Sequence, residues 1–276
     1  SGGGGEFAFQ NNGTARSVII HGNIENKSSG TNSNGGNGGL IQVRNPNAPA
    51  TDHTLYLYGN YHQDCAAAGI DGIRLYTADD QDRVTLHMVG DENASFANIS
   101  GDVPVLYRLI MNKGTDQSVS VTLPCEVILG GPADLADKAL DLQNGTLIMD
   151  HADLDFTLSS GTSDFLIPGT AALEVHQGRA EVTGSNIGIL LDGRLQLDGG
   201  NVDLGTAIGN GNNYIEYSST GTARLVVNSG QLTVGSQIRR GLTSDVGILR
   251  YTQTGGTVLI GKDAAPEENR AIFERV

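Results

Sequence analysis

A short frame recurs around five glycines and constrains the chain more than any other feature. With Gly200 as origin, apolar residues stand five and three positions before it and two and four after it: Leu195, Leu197, Val202 and Leu204. The same frame surrounds Gly145 (Leu140, Leu142, Leu147, Met149), Gly178 (Leu173, Val175, Ala180, Val182) and Gly230 (Leu225, Val227, Leu232, Val234). Around Gly256 it holds with one polar lapse (Tyr251, Gln253, Val258, Ile260). Alternation with period two on both sides of a glycine reads as two short strands meeting at a corner. The intervals are 33 residues (145 to 178), 22 (178 to 200), 30 (200 to 230) and 26 (230 to 256). Uneven repetition on that scale is what stacked structural units with loops of variable length leave in a sequence.

Two all-β architectures fit the frame. Asn144-Gly145, Gly199-Gly200 and Ser229-Gly230 are legitimate hairpin signals, and a sandwich of hairpins would also place the apolar positions on one face. Against it, further strand candidates fall inside the longer intervals, at 187–191 and 215–217, which gives about three strands per unit. Parallel strands need a long crossover, usually a helix, and no helical period of that length exists here. Strands in parallel must therefore be coils stacked on one another. The expected fold is all-β: a right-handed parallel β-helix solenoid with about three strands per coil and irregular loops in the N-terminal half. One segment is expected over 1–276, with less regular coils over 1–132 and regular repeats over 133–276. Before the repeats, strands are expected at 17–24, 40–43, 54–58, 72–76, 83–89, 105–111 and 118–123. The Gly/Asn/Ser-rich run 27–39 has nothing to bury and reads as an exposed loop.

Composition sharpens this. The 276 residues include 39 Gly and no Trp, with only 6 Phe and 8 Tyr, so a thin interior of stacked Val, Ile and Leu is expected. The formal net charge is −14, and no Lys/Arg-rich segment stands out. Binding to nucleic acid or to an anionic membrane surface is therefore not expected. No apolar run reaches the roughly 18 residues of a membrane-spanning helix. The final Ala271–Val276 reads as a strand with no cap, so continuation into the rest of a parent chain is expected at that end. Cys65 and Cys125 read equally as one disulfide of an exported protein or as two buried thiols.

The repeated Leu-x-Leu-x-x-Gly-x-Val-x-Val-Gly frame and its Asn/Gly/Ser/Thr-rich corners resemble right-handed parallel β-helix proteins of the pectate-lyase-like superfamily. So does Leu106-Tyr-Arg-Leu-Ile-Met-Asn-Lys-Gly114 leading into Val119-Ser-Val-Thr-Leu123. That superfamily includes adhesin-like secreted surface proteins of bacteria, and the likeness covers most of 105–261. It implies one of two roles: a surface rod that adheres or spaces domains, or a polysaccharide lyase or hydrolase. The frame carries structural positions and no catalytic ones, and fold alone does not choose.

A lyase would hold calcium with carboxylates beside an Arg or Lys base. Asp79, Asp80 and Asp82, near Arg74 and Arg83, are the local candidates for calcium. Their spacing lacks the fixed glycine and distal Glu of an EF-hand loop, and a solvated turn is the plainer reading. Asp198 with Asp203, and Asp141 with Asp150, flank corners where acidic residues serve solubility. Tyr56, Tyr58 and Tyr61 could stack on sugar rings, although tyrosine is also an ordinary strand residue. The six histidines show no ligand spacing; His53 and His62 bracket one turn. The expectation is a secreted or cell-surface structural or adhesive segment without catalysis, whose partner is a polysaccharide or cell-surface glycan. The alternative is a carbohydrate-active enzyme or glycan-binding module on the same scaffold.

Overall fold

In the computed structural model the described residues are 6–28, 40–44, 51–65, 72–76, 83–131, 139–205, 213–217, 221–241 and 247–261. Among them there is no helix, so none is long and apolar enough to cross a membrane. The chain runs through β1 (Glu6–Gln10), β2 (Ser17–Ile20), β3 (Ile24–Ser28), β4 (Leu40–Arg44), β5 (Asp52–Leu57) and β6 (Tyr61–Cys65). It continues with β7 (Gly72–Arg74), β8 (Arg83–Gly90), β9 (Ala94–Ser100), β10 (Val105–Leu106), β11 (Arg108–Lys113), β12 (Ser120–Leu123) and β13 (Ile128–Leu129). Then come β14 (Leu140–Met149), β15 (Asp155–Ser159), β16 (Phe165–Ile167), β17 (Ala171–Val175), β18 (Arg179–Val182) and β19 (Gly188–Leu191). The last are β20 (Arg194–Leu204), β21 (Tyr214–Tyr217), β22 (Thr222–Val234), β23 (Ile238–Arg240), β24 (Ile248–Gln253) and β25 (Thr257–Ile260).

Every strand pairing among the described residues is parallel, which excludes the hairpin sandwich. The pairings sort into three rows. The first runs β1, β4, β7, β10, β13; β15 lies beside β13 and leads through β18 to the second halves of β20 and β22 and to β25. The second runs β2, β5, β8, β11 and the first half of β14. There β16 lies against β14 and leads through β19 and β21 to β23. The third is unbroken from β3 through β6, β9, β12, the second half of β14, β17, and the first halves of β20 and β22 to β24. Along the sequence the rows are visited in turn, first, second, third.

Register fixes what is inside. Leu147, Leu173, Leu195 and Leu225 are consecutive ladder partners in the third row, and all four are fully buried. Met149, Val175, Leu197 and Val227 form the next such ladder, equally buried. Burying one such aliphatic side chain stabilises by about 1.5–3 kcal/mol, and the period of two leaves the alternate residues outside. Aromatic residues contribute more than composition suggested: Tyr61 stacks on Phe96 at 4.4 Å between ring centroids, and Phe156 and Phe165 are buried.

The recurring glycines do not all occupy one corner. Gly145 turns the chain from the second row to the third, and its ladder partner is Ala171. Gly178, Gly200, Gly230 and Gly256 each lie where the chain leaves the third row for the first. The 33-residue interval is therefore one circuit plus one strand, and the frame slides by a row between Gly145 and Gly178. The strand expected over 17–24 is two, β2 and β3, broken at His21–Asn23. Lys27 and Ser28, expected in the Gly/Asn/Ser loop, end β3 instead, paired with Asp64 and Cys65; the rest of that run, 29–39, and the terminal strand expected at 271–276 lie outside the described residues. Cys125 is a free, buried thiol whose Sγ is 3.4 Å from the Phe96 carbonyl oxygen, which decides against the disulfide; the side chain of Cys65 lies outside the described residues.

Candidate functional site

A dense polar constellation lies on the outer side of the third row. Leu173 and Val175 of β17 and Leu195 and Leu197 of β20 point inward, so Glu174, Arg194 and Gln196 point outward; His176 follows the end of β17, and Asp198 lies where the register of β20 shifts against β22. Pairing puts Glu174 beside Gln196. Ladder spacing of about 4.8 Å then lets side chains of neighbouring strands meet.

Arg194 Nη1 is 2.6 Å from Glu174 Oε1 and donates to Gln196 Oε1 at 2.7 Å. Its Nη2 reaches Thr146 Oγ1 at 3.3 Å. Gln196 Nε2 donates to Asp198 Oδ2 at 2.6 Å, and Asn228 Nδ2 donates to Asp198 Oδ1 at 2.7 Å. Thr254 Oγ1 in turn donates to Asn228 Oδ1 at 2.7 Å. His176 Nε2 stands 3.2 Å from Glu174 Oε2 and 3.4 Å from Asp198 Oδ2. The network thus spans from β14 to the end of β24. Its charged side chains are part-buried, from 12% exposed for Glu174 to 33% for His176. In this partly desolvated setting charge-assisted hydrogen bonds outweigh those of a fully exposed pair.

Register adds a charged column. Arg194, Arg224 and Arg250 are successive ladder partners on β20, β22 and β24. Arg194 is paired with Glu174, whereas Arg224 and Arg250 are exposed and make no ion pair among the described residues. Like charges directly adjacent on a sheet repel.

A second cluster belongs to the first row. Arg179 binds Glu181 Oε2 at 2.7 Å and Asp203 Oδ2 at 2.9 Å, and Thr157 Oγ1 donates to Glu181 Oε1 at 3.3 Å. Asp198 and Asp203, which flank one corner in the sequence, are thereby drawn into different clusters. Asp141 pairs with Arg108 at 3.0 Å, and Asp150 accepts from Gln177 at 3.2 Å.

The tyrosines part company. Tyr61 is fully buried and donates to Gln63 Oε1 at 2.6 Å, so it offers no ring face to the outside. Tyr56 lies against His87 and Tyr58 against His21, with ring centroids 4.6 and 4.5 Å apart. Tyr58 is exposed. Asp79, Asp80 and Asp82 lie outside the described residues. His53 is buried; its Nδ1 accepts from the Arg16 amide at 3.1 Å, and its Nε2 is 3.2 Å from Asn11 Oδ1. Burial, with the Arg16 charge, pushes its pKa below the ordinary histidine value.

Sequence reasoning passed over Glu174, His176, Arg194, Gln196 and Asn228. The one available signal was the frame itself: aligning Gly178 with Gly200 sets residues 174–176 beside 196–198. Comparison with known proteins finds no match: no protein-family model, no curated protein and no solved structure aligns with the chain.

Proposed function

We propose that the chain is a segment of a right-handed parallel β-helix that serves as a non-catalytic binding scaffold at a bacterial cell surface, and that its outer third-row face takes up an anionic glycan. The three rows visited in turn, with parallel pairing throughout, support coils stacked along one axis. Parallel crossovers within a sheet are right-handed in nearly all proteins, which supports the hand. The observation that carries the binding role is the in-register column Arg194, Arg224, Arg250, of which, among the described residues, only the first has a counter-charge. Carboxylate or sulfate groups spaced along a polymer would relieve that repulsion and accept bidentate hydrogen bonds from guanidinium groups. Flanking Gln196, Asn228 and Thr254 supply donors and acceptors for hydroxyl groups.

The test is binding of anionic and neutral polysaccharides of equal length, with product release followed in parallel. Binding of the anionic series alone, weakened tenfold or more by Arg224→Gln with Arg250→Gln, weakened by salt and without shortened products, is the expected result. Release of shortened or unsaturated products would favour the enzyme reading. No binding, or equal binding of neutral polymers, would refute the glycan role.

A further inference from the structure

We propose that Glu174, His176 and Asp198 form a three-ligand site for a divalent transition metal of the zinc type. This rests on the geometry of the cluster and is independent of the glycan reading. One oxygen from each carboxylate and Nε2 of the imidazole lie within 4.8 Å of one another.

The distances are informative. Zinc takes nitrogen at about 2.0–2.1 Å and carboxylate oxygen at about 2.0–2.2 Å in tetrahedral geometry. Two ligands of such a tetrahedron are about 3.3 Å apart, the bond length times roughly 1.6. The His176 Nε2 to Glu174 Oε2 and Asp198 Oδ2 distances are 3.2 and 3.4 Å. The ring nitrogen carries at most one hydrogen, which can point well at only one acceptor, yet two carboxylate oxygens converge on it. A cation among them would take the imidazole lone pair and both oxygens, Asp198 Oδ2 keeping the Gln196 Nε2 donor at 2.6 Å as its second partner.

The surroundings suit ligands held in place. Arg194 occupies Glu174 Oε1 and leaves Oε2 toward the cluster, while Asn228 and Gln196 hold Asp198. Partners of this kind orient metal ligands and sharpen affinity. The two carboxylates carry two negative charges and Arg194 cancels one, so a dication meets one net negative charge. An imidazole ligand selects zinc, cobalt, nickel or copper over calcium and magnesium. His176 sits at the open side, which leaves the fourth position to water or to an incoming oxygen ligand.

The experiment uses untagged, metal-stripped protein titrated with cobalt(II), read by its visible absorption, and with zinc(II), read by calorimetry. One equivalent of each metal is expected, with an intense tetrahedral-type cobalt spectrum that zinc abolishes. His176→Gln and Asp198→Asn should each weaken binding at least a hundredfold while far-ultraviolet circular dichroism stays unchanged. Asp80→Ala should leave affinity within twofold, which separates this site from the calcium candidates Asp79, Asp80 and Asp82. Absence of binding at millimolar zinc, an affinity unmoved by His176→Gln, or calcium bound as tightly as zinc would each overturn the proposal. The readouts require no glycan, so failure here and failure of the anionic-glycan role are separate results.

Discussion

Replacing Gly230 with alanine should be among the most damaging single-methyl changes in this chain. Gly230 has φ +74°, and a Cβ placed on it would lie 1.6 Å from the Gly199 carbonyl oxygen and 2.1 Å from that of Gly200. Left-handed backbone costs an L-residue about 1–2 kcal/mol. The overlap is with backbone, so no side chain can rotate away. Relief requires the corner of β22 to separate from that of β20, at the expense of one or two ladder hydrogen bonds worth about 1 kcal/mol each. The total comes to about 2–4 kcal/mol. Two controls resolve it. Gly13 has φ +80° with nothing within 4 Å of its notional Cβ, so Gly13→Ala isolates the backbone term at about 1–2 kcal/mol. Gly221 has neither a positive φ nor a neighbour within 4 Å, so Gly221→Ala should change stability by less than about 0.5 kcal/mol. Urea unfolding followed by circular dichroism gives the ranking. Amide exchange over 225–234 shows whether the loss is local, because stacked repeats need not unfold as one unit. A Gly230→Ala protein no less stable than Gly13→Ala would refute the reasoning that these corners are pressed together backbone to backbone.

Two further outcomes follow from buried groups. Burial depresses the pKa of His53, so between its folded value and about 6.5 the unfolded chain binds more protons and stability falls as pH falls; His53→Gln should flatten the melting temperature between pH 7 and 5, and an unchanged slope would sink this. The Cys125 thiol, pushed up to about 11 by burial, should react with iodoacetamide at pH 8 at least a hundredfold more slowly in the folded protein than in urea. Equal rates would place it at the surface.

The C-terminal half was legible because its interior is chemically uniform. Leucine and valine recur at the same register on β17, β20 and β22, so hydrophobic alternation alone reports which residues point inward. The N-terminal half hides its order by putting polar groups where that pattern demands apolar ones. Gln63 is fully buried between β6 and the turn after β9, where its Nε2 donates to Asn98 Oδ1 at 3.1 Å and to the Asp102 carbonyl at 2.9 Å. Lys113 is buried too, with Nζ 2.7 Å from the carbonyl oxygens of both Tyr58 and Val89. Burial lowers its pKa from the usual lysine value, partly opposed by the charges of Glu92 and Asp91. Such residues satisfy carbonyls at row ends and read as loop in a sequence. Hence β6 and β9 were missed, as were β1 and β13 and, in the more regular half, the short β15, β16 and β23 that fall between glycine frames.

The site was hidden for a different reason. Glu174, His176, Asp198 and Asn228 are outward residues, and on an outer face the sequence pattern requires only polarity. What brings Glu174, His176 and Asp198 together is third-row register, which sets Glu174 beside Gln196 across a 22-residue step. With no long loop between β17 and β20, the edge residues of these strands stack directly, and His176 falls between two carboxylates. The next step is 30 residues, from Asn201 to Gln231; third-row register holds from Arg194–Arg224 to Leu197–Val227 and slips by one at Asp198, which pairs with Ser229, so Asn228 is the extra residue and its side chain reaches Asp198. Third-row register therefore decides which outward side chains meet, and the inward Leu195–Leu225 and Leu197–Val227 ladders hold across steps of different length. An insertion of several residues between β18 and β19 should leave the leucine ladders in place. A deletion that shifts β20 by one residue would turn Leu195 and Leu197 outward and disperse the cluster together with the core.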